Sequence, residues 1–163
     1  ACPEVTRSPK SFPRKLQCYS ILTIALPDTH HGVTKCTRAT ESIGEALSSL
    51  GLSCSQLSTG GLLTKVNGVP IYIVDQDTNI GIGGMIQARQ PKAEDLNWIS
   101  DFNNRALWPV VFRVDQETAS VIHAEHRIIK GVAYSEAQLR DEAELGVLIV
   151  ADTLLRYSEE HPQ

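Results

Sequence analysis

Leu62-Leu63-Thr64-Lys65-Val66-Asn67-Gly68-Val69-Pro70-Ile71-Tyr72-Ile73-Val74 is the stretch on which the fold turns. Asn-Gly is a strong two-residue turn signal, because both residues tolerate the positive φ that such a turn demands. It joins runs at 62–66 and 70–74 into an antiparallel hairpin. Asp75-Gln76-Asp77-Thr78-Asn79 makes the next turn, and 80–88 reads as a third strand, softened by Gly81, Gly83 and Gly84. A further short strand fits at 53–57.

Upstream, Cys36, Ala39, Ile43, Leu47 and Leu50 recur at helical spacing. Thr34 is the expected N-cap and Gly51 stands where a C′ residue belongs. Downstream, Pro91 opens a second helix from Lys92 to about Leu107. Glu94 and Asp95 lie in its first turn, where the dipole favours acids, and Leu96, Trp98, Ile99 and Phe102 form its stripe. In 110–115, Val110, Phe112 and Val114 alternate with Val111, Arg113 and Asp115, a period of two that gives a strand with one buried face. In 121–129, Ile122, Ala124 and Ile128 share one face. His123, Glu125 and Arg127 share the other, expected to be solvated. Ser135-Glu136-Ala137-Gln138 fits a capping box. Leu139, Ala143, Val147, Val150 and Leu154 are the core stripe of the last helix.

The order α-β-β-β-α-β-β-α lacks strict β-α alternation. It predicts an α+β fold, an antiparallel sheet with helices packed on it. The chain has 163 residues, 42% of them hydrophobic and 21% charged, which suits one globular domain with its own core. Residues 1–32 hold four prolines and read as an irregular basic arm with one short strand at 19–25; residues 33–163 form the domain. Residues 1–38 carry six basic side chains against Glu4 and Asp28, a balance of +4, whereas the remainder carries nine basic and seventeen acidic, a balance of −8. A net charge of −4 does not suit a nucleic-acid binder. No apolar run approaches the ~20 residues of a membrane helix.

Several chemistries are missing. Cys2, Cys18, Cys36 and Cys54 form no C-x-x-C, so zinc knuckles and thioredoxin-type redox motifs are absent. Cys36 and Cys54 flank a helix that would hold them roughly 20 Å apart, far beyond the ~7 Å limit for a disulfide. Free thiols in a reducing cytoplasm are expected. Ile80-Gly81-Ile82-Gly83-Gly84 continues as a strand and does not enter a helix, so it is no dinucleotide loop but a bulged or closely packed strand. His123 and His126 point to opposite faces of one strand and do not share a metal ion. Asp152 is expected to face solvent or cap a neighbouring loop, and no nucleophile–base constellation appears. No cofactor is implied.

From 33 to 161 the chain resembles the YbjN family, bacterial domains labelled sensory-transduction regulators. Arg38, Ala46-Leu47 and Leu50-Gly51-Leu52 carry the likeness first. Asp101-Phe102-Asn103-Asn104-Arg105 and Leu107-Trp108-Pro109 carry it next, then Ala124-Glu125, Gly131-Val132 and Ala137-Gln138-Leu139. The spacing is most similar to actinobacterial members. Phe102 stands where the family pattern has Trp, Val110 where Lys is common, and the connection 131–135 is longer. The resemblance implies a fold similar to type III secretion chaperones, which present sheet and helix surfaces to partners, frequently as dimers. It implies no catalytic residue.

These readings lead to one expectation: a non-enzymatic, protein-binding regulatory or chaperone-like adaptor in the cytoplasm, with a protein partner and a homodimer as its assemblies. The alternative is a small-ligand sensory domain, which would need a closed apolar pocket between the sheet and the first helix. The last helix is apolar on more faces than a core requires. Leu145, Leu148, Ile149 and Leu155 on it, with Trp98 and Trp108, are therefore the candidate interface.

Overall fold

A computed structural model describes residues 37–117, 119–130 and 134–162. The arm, the strand expected at 19–25, and Cys2, Cys18 and Cys36 lie outside these. The element order is α1 (Arg38–Ser49), β1 (Ser55–Gln56), β2 (Leu62–Val66), β3 (Val69–Asp75), β4 (Asn79–Gln87), α2 (Lys92–Arg105), β5 (Val110–Asp115), β6 (Ser120–Ile129) and α3 (Glu136–Glu160). The six strands form one antiparallel sheet in the order β1-β2-β3-β4-β6-β5. The expected α+β architecture is therefore the observed one.

The hairpin forms at the expected residues. Asn67 (φ 50°) and Gly68 (φ 86°) both take positive φ, and Val66 pairs with Val69. The glycine-rich β4 is a regular strand, closely packed and without a bulge, paired residue for residue with β6 from Asn79↔Ile129 to Gln87↔Val121. The capping box also forms: Gln138 N–H donates to Ser135 Oγ, and Ser135 N–H donates to Gln138 Oε1.

One face of the sheet is covered. α3 lies across β4 and β6 and also meets β3 and α1. Its contact face, Ala143, Val147, Val150 and Leu154, is fully buried with Ile71, Ile73, Ile82, Ile122 and Ala124. Gly146 sets how closely the helix lies on the sheet: a Cβ there would sit 2.7 Å from His126 Cδ2 and 2.8 Å from Ile82 Cδ1. Ile43 and Leu47 of α1 fill the space beside β3 in the same core, where the small-ligand alternative needed a pocket.

Four local expectations are corrected. α1 is capped by Thr37, not Thr34, because Thr37 Oγ1 accepts from Thr40 N–H at 3.3 Å while Thr40 Oγ1 donates back to Thr37 O. Leu50, expected on the buried stripe, is the C-cap residue and is half exposed, with Gly51 following at φ 80°. In α2, which ends at Arg105, Leu96 is exposed and Asp95 is wholly buried. The helix turns Asp95 inward because Tyr157 donates to its Oδ1 at 2.5 Å and Arg113 pairs with Oδ2. His123, expected in a solvated row, is only 7% exposed, because Tyr72 and Phe112 close over it. Among the described residues no helix is long and apolar enough to cross a membrane.

Candidate binding cleft

All three helices pack on the core side, so the residues of opposite parity make the sheet's other face: Tyr72 on β3, Gly83 on β4, His123, Glu125 and Arg127 on β6, Val110 and Phe112 on β5. Tyr72 lies flat over Gly83, where a Cβ would fall on its ring, and its hydroxyl bonds to His123 Nε2. Burial, then the Glu125 charge, pushes the Tyr72 pKa up to about 12, with Arg127 opposing. The hydroxyl therefore stays protonated and donates. Burial pulls the His123 pKa down, against Glu125 and with Arg127, so the ring is neutral and accepts. Glu125 takes both Arg127 nitrogens, Nε at 3.0 Å and Nη2 at 2.9 Å.

At one end of this face the sheet opens into a cleft of about 760 Å³. β5 contributes Val110 and Phe112, and Trp108 lies just before it. β6 contributes Glu125, His126, Arg127 and Ile129, and Tyr134 and Glu142 close the far side. Of the ten large hydrophobic side chains exposed among the described residues, five line this cleft: Trp108 (63% exposed), Val110, Phe112, Ile129 and Tyr134. At its floor His126 is buried; its Nε2 donates to Glu142 Oε1 at 2.9 Å, and its ring meets the Trp108 indole edge-on at 6.1 Å. His126 Nδ1 is buried with no hydrogen-bond partner among the described residues. A second cleft, of about 440 Å³, lies at the opposite sheet edge between 51–55 and 63–65, and none of the exposed large hydrophobics lines it.

The residues singled out from the sequence are dispersed. Trp98 is half-buried, stacked on Phe102 at 5.4 Å and edge-on to Tyr157 at 5.1 Å, and its indole donates to Glu160 at 2.6 Å. Leu155 packs against the core and Ile149 is half-buried. Leu145 and Leu148 are exposed on the outer side of α3, Asp152 faces solvent, and Trp108 stands at the cleft. Val110, Phe112, Ile129 and Tyr134 were not singled out; the alternation of Val110 and Phe112 with Val111 and Arg113 marked two faces, and it is Val111 that is buried while Val110 and Phe112 are exposed. Cys54 is a free thiol packed beside the core. Among the described residues no three His, Cys, Asp or Glu side chains gather as a metal site.

No protein-family model matches the chain, and no curated protein matches it. Solved structures do. YbjN from E. coli, described as a candidate transcription regulator, superposes with a TM-score of 0.54 at 17% identity, covering 71% of this chain and 91% of its own. The type III secretion chaperone SycH of Yersinia pestis, solved with a stable fragment of YscM2, gives 0.44 at 14% identity, covering 71% and 98%. At such identities the likeness is one of architecture, and on the first of these comparisons the chain has a YbjN-like α+β fold.

Proposed function

We propose that this domain is a non-enzymatic protein-binding adaptor or regulator, and that it receives its partner protein in the cleft between Trp108 and Tyr134. The observation that supports the reading is the clustering of exposed apolar side chains there. Scattered single hydrophobics are ordinary on a protein surface, but a contiguous set rimmed by charge marks an interaction site. Trp and Tyr at the cleft are residue types that anchor interfaces, burying large area with few rotatable bonds. The rim of Glu125, Arg127 and Glu142 supplies polar groups around that centre. Cys54, a free thiol, accords with action in a reducing cytoplasm.

The reading is tested with a photoreactive benzoyl-phenylalanine replacing Trp108 in one version of the full chain and Leu148 in another, irradiated in cells that carry the protein. The expected result is one reproducible adduct with a distinct polypeptide from position 108, lost when Ile129→Lys is added. Adducts from position 148 alone would move the interface to α3, and adducts with the chain itself would make the cleft a homodimer contact.

A further inference from the structure

The backbone at the edge of the cleft carries a more specific inference, resting on the reading just given. β5 pairs with β6 only from Val110 opposite Glu125 to Asp115 opposite Ser120. β6 runs on past that point to Ile129. The direction of its free groups follows from the ladder. Lys130 N–H donates to Thr78 O, so the even-numbered residues of β6 turn their backbone groups toward β4; Gln116 N–H donates to Ala119 O, so the odd-numbered ones turn toward β5. Arg127 and Ile129 are odd. Their N–H and C=O groups therefore point along the sheet into the cleft, where no described residue stands opposite them.

The neighbouring edge, that of β5, is treated differently. On the outer side of β5, Val111 N–H donates to Asn103 Oδ1 at 3.0 Å and Val111 C=O accepts from Asn103 Nδ2 at 2.7 Å. The amide of α2 thus stands in for a neighbouring strand, a common way of blunting an edge. The step at Arg127 and Ile129 lacks such a cover among the described residues and lies beside the cleft that holds half of their exposed large hydrophobic side chains.

We infer that the partner enters as an extended segment that adds a strand to β6 at Arg127 and Ile129, in line with β5, and seats its side chains in the cleft. Strand addition supplies affinity through main-chain bonds and specificity through pockets for alternate side chains. Trp108 and Ile129 call for apolar residues. Glu125 is already neutralised by Arg127, whereas among the described residues Glu142 meets only His126. The rim is therefore net negative, as is the domain, and the segment pairs a basic residue with its apolar ones.

The probe is a library of eight-residue peptides, half with a fixed Lys and half with a fixed Glu, offered to the full chain, with amide exchange of Arg127 and Ile129 followed by NMR. Binders should come from the Lys half and slow both amides about tenfold or more. N-methylation at alternate positions of the best peptide should weaken binding about tenfold in one register and little in the other. Peptides that bind and shift the Trp108 indole signal without slowing either amide would overturn strand addition and leave the adaptor reading standing. Amides already slow in the dilute free chain would show the edge occupied by the chain itself. Slowing that grows with protein concentration would assign it to a second copy. Fast amides with no peptide binder would overturn the inference outright, while the cross-linking result judges the adaptor reading separately.

Discussion

His123 is neutral in the folded chain because burial under Tyr72 and Phe112 lowers its pKa, with Glu125 opposing and Arg127 assisting. The consequence for stability has a definite sign. Above pH 6.5 the ring is neutral folded or unfolded. As the pH falls below 6.5 the unfolded chain takes up a proton that the folded chain resists, so stability declines, with a slope of up to about 1.4 kcal/mol per pH unit, until the lowered folded pKa is passed. Urea midpoints at pH 7.5, 6.5 and 5.5 should therefore drop across the lower interval, and His123→Leu should flatten that drop. Asp95 makes a different prediction. It is wholly buried and binds both Arg113, itself nearly buried, and Tyr157. Asp95→Ala takes the acceptor from the Tyr157 hydroxyl and one of two carboxylates from Arg113, which keeps Asp115 and Gln90 O, at a cost of about 1–3 kcal/mol in urea unfolding. Sequence reading saw Asp95 as a first-turn acid on a helix, which it is. It did not see the partners, because Arg113 and Tyr157 lie 18 and 62 residues away.

At the level of elements, two contacts fix how helices meet the sheet. Gly146→Ala would press a Cβ against His126 and Ile82, and overpacking of this kind costs about 1–3 kcal/mol, read as a lowered urea midpoint with unchanged m-value. Asn103→Ala removes two hydrogen bonds from Val111, about 1–3 kcal/mol together. It also bares the β5 edge, so the variant should self-associate more than the parent chain as concentration rises, as light scattering would read. These elements were legible in proportion to how local their signals are. The Asn67-Gly68 turn and the Ser135–Gln138 capping box are written within a few residues and form as read, whereas the alternation along β5 and β6 locates the strands but not their faces: Val111 is buried, Val110 and Phe112 are exposed, and His123 is covered. The start of α1 shifted by one turn because Thr34 and Thr37 offer the same hydroxyl, and only the contacts of Thr37 with Thr40 and Asp75 select between them. The cleft was legible only through Trp108. Its other walls come from β5, β6 and the entry to α3, and what joins them is the β5–β6 register and the point where it stops.

At the scale of the whole molecule, the described residues set two groups of exposed apolar side chains outside the core, the cleft and the outer side of α3, and they differ in what a partner would find. Leu145 and Leu148 stand about half exposed on a helix whose opposite side, from Ala143 to Leu154, is sealed into the domain. They are not needed to hold the domain together. Leu148→Glu should therefore change stability by no more than about 0.5 kcal/mol, as should Trp108→Ser at the cleft, whereas Leu154→Ala, fully buried against the sheet, should cost about 2–5 kcal/mol. The same three variants separate folding from assembly when their solution masses are measured on the full chain. If the cleft is where this protein meets its partner, Leu148→Glu keeps the mass of the parent and still binds, and Trp108→Ser keeps that mass and binds more weakly. A parent dimer that Leu148→Glu converts to a folded monomer would instead make the α3 leucines the self-association surface. The cleft would then remain open on each protomer, since no residue lining it is an α3 leucine.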